Sequence, residues 1–223
     1  MVPTEKLKHV VNRVVYRMPD RYGHLAREVR HGRARTILEI GVWDGEHARM
    51  MIETALGQHA PDRIAYYGID LFEDACDEAL SVGDKRPPAL AVVARKLRPF
   101  VQRGVAVHLH RGNSVELLPV LAPTWPSMDL IFIDGGHQGE TVRADWEHAR
   151  RLMGPRSIVL FDDYSDPATV SALKIGVNRV VDSIDRTMYT VEHLAPIDTF
   201  EKDWGVQRVR LVKVAHRAGT MSR

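Results

Sequence analysis

The chain has 223 residues, 44% of them hydrophobic, and a formal net charge of +2. Such a length suits one globular domain with an extension, and the charge is too mild to imply nucleic-acid binding by itself. The lone cysteine, Cys76, excludes an intrachain disulfide and a Cys-based zinc site, and no stretch is apolar and long enough to span a bilayer.

In chain order, Leu7, Val10, Val11, Val14 and Val15 recur at helical spacing between about Thr4 and Met18, and a second helix is expected through Leu25 and Val29. Both lie in a segment crowded with cations, from Lys6 and Lys8 to Arg21, Arg27, Arg30, Arg33 and Arg35, which reads as a solvated helix face, with attraction of an anionic substrate as the alternative. Glu5, Lys6 and Lys8 stand where a signal peptide would need an apolar run, so a soluble, cytoplasmic protein is expected. The first convincing strand is Thr36 to Ile40. Helix Glu46–Leu56, strand Ala65–Ile69, helix Ala75–Leu80, a Pro87-Pro88 break and helix Leu90–Val101 follow. Strand Ala106–His110, helix Ser114–Leu121, strand Asp129–Ile133, helix Glu140–Leu152, strand Ser157–Phe161 and helix Ala168–Ile184 continue the series. Alternation of this kind implies a parallel sheet with helices on both faces. Met188–Glu192 and Val206–Val214 then form two strands with no helix between them, most simply an antiparallel edge pair. Asp77–Pro88 and Leu194–Asp203 are the expected mobile loops.

Two sets of motifs fall at the carboxyl ends of these strands, where open α/β sheets bind ligands. The first is Glu39-Ile40-Gly41-Val42-Trp43-Asp44-Gly45, a strand running into a glycine-containing turn before a helix, with Asp70 at the end of the next strand. Gly41 and Gly45 serve either a plain βα turn or close backbone approach to a ligand. Asp70 is either a helix cap or an acceptor for ribose hydroxyls. The turn lacks the full Gly-x-Gly-x-x-Gly spacing of dinucleotide sites, which counts against a nicotinamide cofactor. Glu39, two residues before Gly41, suits a cationic cofactor instead.

The second set is Asp134-Gly135-Gly136-His137 after the fourth strand and Asp162-Asp163 after the fifth. Neighbouring strands lie about 5 Å apart, so Asp134 and Asp162 face one another, and Asp163 on the loop beyond is placed to turn in. Three oxygen donors suit a hard divalent cation such as Mg²⁺. The plainer readings are a turn at Asp134 and a helix cap at Asp162-Asp163, the latter weakened because Ser165-Asp166-Pro167 already supplies a cap and a helix-starting proline. Three carboxylates gathered without a cation would raise one another's pKa at a cost in stability. His137, three residues after Asp134, is a candidate general base. His108 and His110 share a strand face with nothing gathered around them.

Between Thr36 and Val214 the chain resembles the class I S-adenosylmethionine-dependent methyltransferases, on Glu39-x-Gly41-x-Trp43-x-Gly45 for their first motif, Asp70 for their ribose acid and Gly112-Asn113-Ser114 for their adenine-side loop. Trp43 stands where many members carry a glycine, and Arg156-Ser157 where Gly-Gly often leads into the fifth strand. Asp134-Gly-Gly-His137 and Phe161-Asp162-Asp163-Tyr164 are similar to the metal-dependent O-methyltransferases of the bacterial branch acting on sugar hydroxyls of natural products such as macrolides and aminocoumarins. The catechol-type enzymes, with lysine at the place of His137, are a more distant comparison.

The resemblance implies a Rossmann-like, doubly wound α/β fold with seven strands in the order 3-2-1-4-5-7-6, the last antiparallel. Residues 1–35 would form an N-terminal helical cover for the substrate and residues 36–223 the methyltransferase domain. Glu39, Gly41, Gly45, Asp70, Leu71, Asn113, Ser114 and Asp134 would bind S-adenosylmethionine, Asp134, Asp162 and Asp163 would hold Mg²⁺, and His137 with Asp134 would carry catalysis. The implied reaction is methylation of a hydroxyl, such as one of a vicinal diol, on a small-molecule sugar or natural product. A nicotinamide-dependent oxidoreductase and a non-catalytic binding protein of the same fold are the rival readings. No nucleic-acid or membrane partner is expected, and the apolar N-terminal helices leave homo-oligomerisation open.

Overall fold

Strands that are apolar on both faces need cover on both faces, and Thr36–Ile40 (β1) and Met128–Ile133 (β4) are of that kind. In the computed structural model, which describes residues 20–76, 86–165, 176–195, 197–202 and 205–217, these two lie side by side in an eight-stranded sheet. Ala65–Asp70 (β2) and Ala106–Arg111 (β3) extend it in parallel on one side, and Met153–Ser165 (β5) does so on the other. Gly205–His216 (β8) then runs antiparallel to β5.

The path β3-β2-β1-β4-β5-β8-β6 is the expected order with one additional strand. Tyr189–His193 (β6) pairs with residues 212–216 of β8, while Asp198–Lys202 (β7) pairs with residues 205–209. The two short strands therefore share one edge of β8 instead of adding a row. The stretch 194–203, expected as a mobile loop, contains a paired strand, because the free amide edge of β8 offers Thr199 and Phe200 a ladder.

Six α-helices among the described residues cover the sheet. Gly23–Gly32 (α1), Glu46–Leu56 (α2) and Leu90–Gln102 (α3) pack on Ile37, Leu130, Phe132 and Leu160. Ser114–Leu121 (α4), Gly139–Ala149 (α5) and Gly176–Ser183 (α6) pack on Leu38, Ile131, Ile133 and Phe161. Alternate residues of one strand thus serve opposite layers, as period-two side-chain alternation requires. Leu25 and Val29 of α1 are fully buried in the first layer. The helix expected over 4–18 lies outside the described residues, as do 77–85 and 166–175. Of the helix expected over Ala75–Leu80, only Ala75 and Cys76 are described; Ala75 is extended and follows a 3₁₀ turn, Phe72–Asp74.

β5 departs most from expectation. It does not stop at Phe161 but continues through both acids to Ser165. Phe161 pairs with Val212 and Tyr164 with Arg210, so Asp162 and Asp163 together oppose Leu211 alone. This is a β-bulge, with Asp163 in the left-handed region at φ 56°. Regular alternation would send the two side chains to opposite faces; the extra residue lets both reach the same end of the sheet. Aspartate tolerates this backbone better than most residues.

Candidate active site

The turn from β1 into α2 is held by backbone proximity. Gly41 has φ 92°, and a Cβ there would lie 2.1 Å from the carbonyl oxygen of Asp134, so only glycine lets the loops after β1 and β4 meet. Asp70, at the end of β2, accepts hydrogen bonds from the Val42 and Trp43 amides at 2.8 and 2.7 Å through Oδ2, and from the Phe72 amide at 2.8 Å through Oδ1. It is therefore a cap for the following 3₁₀ turn and also a clamp on the glycine turn. One lone pair of Oδ1 remains outside these three bonds. Asn113 caps α4 by accepting from the Val115 amide at 3.0 Å, and Ser114 is the first residue of that helix. Gly45 is the left-handed N-cap of α2, and Leu71 follows Asp70 half-buried.

Glu39 lies wholly inside, below the turn. Tyr66 donates its hydroxyl proton to Oε2, while Oε1 faces Nδ1 of His47 at 3.6 Å. The same nitrogen is 3.5 Å from Oδ2 of Asp134. Burial opposes a charge on His47, yet hydrogen bonds and attraction from Asp134 and Glu39 outweigh it and push the imidazole up to about 10. His47 is thus a cation joining the glycine turn to the acid end of β4.

Asp134, Asp162 and Asp163 each present an oxygen within 4.8 Å of the others, and the bulge in β5 is what brings the third into range. His137 joins them, its Nδ1 3.3 Å from Oδ2 of Asp163. The acids are unequal. Burial and the neighbouring charge of Asp162 push Asp134 well above the usual carboxylate range, against the pull of His47. Burial would raise Asp162 too, but the charge and hydrogen bonds of Arg21 bring it down to about 2.

Arg21 was expected on a solvated face and is instead 4% exposed. Its Nε and Nη2 donate to the two oxygens of Asp162 at 2.7 and 2.9 Å, a bidentate pair. Tyr22 Oη donates to Oδ2 at 2.5 Å, and the Asp163 amide donates to Oδ1 at 2.7 Å. A carboxylate offers about four lone-pair positions, and Asp162 has all four engaged. Arg21 also reaches Asp163 at 3.4 Å and Asp198 of β7 at 3.2 Å, the latter further anchored by the Arg21 amide at 3.1 Å. Among the described residues, Asp134, Asp162 and Asp163 are the one group spaced for a metal. Their oxygens suit a hard cation in number and kind, but Asp162 as placed has none to give.

A strand-carried acid and glycine turn beside a carboxylate and histidine cluster, on a 3-2-1-4-5 sheet, agree with a family profile described as a methyltransferase domain, which matches residues 38–164. The chain belongs to the methyltransferase domain family. No curated protein sequence matches it significantly. Among solved structures, this methyltransferase is similar to the O-methyltransferase TomG of Streptomyces achromogenes, involved in tomaymycin synthesis and solved with S-adenosylmethionine. The two are 18% identical, with 96% of this chain and 91% of that one covered and a TM-score of 0.57. It is also similar to a Bacillus cereus O-methyltransferase solved with S-adenosylhomocysteine, at 16% identity, 96% and 93% coverage and a TM-score of 0.60. A candidate O-methyltransferase from Klebsiella pneumoniae is 19% identical, with 98% and 91% coverage and a TM-score of 0.59. Likeness at these identities establishes the shared fold.

In the methyltransferase, residues drawn from β1, β2, β4 and β5 meet at one end of the sheet as the sequence suggested, while Asn113 and Ser114 occupy the start of α4. Sequence reasoning missed Arg21, Tyr22, His47 and Asp198. His47 carried a readable signal, since it opens the helix after the glycine turn; Arg21 was hidden among eight other cations of its segment. Asp145 in α5 was also missed. It is fully buried, and burial raises it to about 7 against the opposing pull of a hydrogen bond from Ser114. No helix among the described residues is long and apolar enough to cross a membrane.

Proposed function

We propose that the chain is an S-adenosylmethionine-dependent O-methyltransferase acting on a hydroxyl of a small molecule, with a sugar or natural-product diol as the favoured acceptor class. The supporting observation is the meeting of His137 with Asp134 and Asp163 at the strand ends, beside a glycine turn clamped by Asp70. Bound S-adenosylmethionine supplies an electrophilic methyl group on a sulfonium. Glu39, Gly41, Gly45, Asp70, Leu71, Asn113 and Ser114 are assigned to its binding, with Asp134 at the boundary between cofactor and acceptor.

An alcohol is a weak nucleophile until its proton is removed. With Nδ1 turned toward Asp163, His137 has Nε2 as its basic nitrogen, and Asp163 stabilises the imidazolium that forms. His137 would take the acceptor's hydroxyl proton at Nε2, leaving an oxygen nucleophile to which bound S-adenosylmethionine would supply its methyl group. Holding the acceptor in line supplies much of the rate, because orientation replaces a bimolecular encounter. A divalent cation on Asp134, Asp162 and Asp163 would acidify a coordinated hydroxyl. That part of the reading applies only when Arg21 has withdrawn from Asp162, and no step above depends on it.

Calorimetric titration with S-adenosylhomocysteine and NAD, followed by mass-spectrometric assay against a panel of sugar and catechol diols, tests this. Binding of S-adenosylhomocysteine and a 14-Da gain on a hydroxyl are expected. Tight NAD binding with no response to S-adenosylhomocysteine would overturn the assignment in favour of an oxidoreductase. Cofactor binding with no transfer to any hydroxyl acceptor would leave a binding protein of the same fold.

A further inference from the structure

We propose that Arg21 is an internal cation that competes with a divalent metal for Asp162, so that metal binding at the acid trio requires the Asp20–Tyr22 turn to leave the site. Four facts converge on it. All the lone-pair positions of Asp162 are filled, two by Arg21, one by Tyr22 and one by the Asp163 amide. The guanidinium is bound to three carboxylates, those of Asp162, Asp163 and Asp198, and only 5% of its side chain is exposed. Tyr22 holds its own side of the cluster through its hydroxyl and by packing on the His47 ring, with centroids 4.2 Å apart. Finally, the Arg21 ligands come from β5 and β7, each of which pairs with β8, so the turn bridges elements that a departing arginine would release.

A metal and a guanidinium cannot share this position. Each coordinate bond to Asp162 needs a lone pair that now accepts a hydrogen bond, and two cations a few ångströms apart in a water-poor site repel strongly. Expelling Arg21 frees two lone pairs and removes that repulsion in the same movement. The competition concerns the resting arrangement of the chain and holds for any acceptor molecule.

Mn²⁺ titration of the full chain, read by the electron paramagnetic resonance signal of the free ion, tests the proposal. Arg21→Gln should bind Mn²⁺ at least about tenfold more tightly than the wild type, and the added Asp162→Asn change should remove that gain. Mn²⁺ should also raise the melting temperature of Arg21→Gln more than that of the wild type. Arg21→Lys keeps a charge but cannot span both carboxylate oxygens, so it should bind Mn²⁺ with intermediate affinity; it decides the matter if the glutamine variant does not fold. Equal Mn²⁺ affinity in wild type and Arg21 variants, or a gain that survives Asp162→Asn, would overturn the proposal. Affinity for S-adenosylhomocysteine on the same samples reports separately on the methyltransferase reading.

Discussion

At the scale of single residues, the site works by pairing charged groups brought together from different elements of the fold. His137 is oriented by Asp163, and His47 is held between Glu39 and Asp134. If His137 is the base, His137→Ala should lower kcat by roughly 10²–10⁴-fold. Affinity for S-adenosylhomocysteine should stay within about threefold, since the glycine turn and Asp70 are untouched; matched calorimetry and initial rates check both halves. An unchanged kcat would remove His137 from the mechanism. The motif residues around these histidines were legible because strand ends and acids are local features. The role of Arg21 was not, since nothing in a run of nine cations distinguishes the one whose charge is taken up by Asp162, 141 residues away.

At the scale of elements, the β5 bulge and the helix behind it decide where the acids go. The Asn178 side chain of α6 accepts from the Ser165 amide at 3.0 Å and donates to its carbonyl at 2.7 Å, in a fully buried exchange. It anchors the last residue of β5, two residues beyond the bulge, to α6. Asn178→Ala leaves both backbone groups without partners and should destabilise the fold by about 2–4 kcal/mol, measured by urea unfolding. A change below about 0.5 kcal/mol, the usual range for surface sites, would show that water or neighbouring groups take over the pair. The bulge itself had no signature in the sequence: Asp162-Asp163 read as a loop because two successive acids break the apolar run. The pairing with β8 resumes at Tyr164 and so carries the strand past them, with Asp163 as the left-handed residue of the bulge. The same partner turns residues 198–202 into β7 and so carries Asp198 to Arg21.

At the scale of the whole molecule, one buried acid, Asp145, makes stability depend on pH in an unusual direction. Asp145 is fully buried and raised to about 7, whereas an unfolded chain ionises it near the ordinary value of about 4. Below that value both states are protonated and Asp145 contributes no pH dependence. As pH rises toward 7 the unfolded chain releases the proton while the folded chain keeps it, so stability falls; above 7 the loss is complete. The upper bound is about 4 kcal/mol for a shift of roughly three units. Asp145→Asn should remove this dependence, so unfolding free energies at pH 5 and pH 8 should differ less in the variant than in the wild type, by roughly 2–3 kcal/mol. Equal differences in the two proteins would show that Asp145 is ionised in the folded state.

By itself the sequence determined the alternation of strands and helices, the antiparallel end of the sheet and the acids and glycines at the strand ends. Each of these follows from periodicity or from residues adjacent in the chain. The tertiary structure decided which charges meet. Arg21, Tyr22 and Asp198 reach the acid trio from opposite ends of the chain, and one extra residue in β5 turns Asp163 toward Asp134. Electrostatic partnership depends on distance in space and on burial, and neither is written in the spacing of residues along the chain.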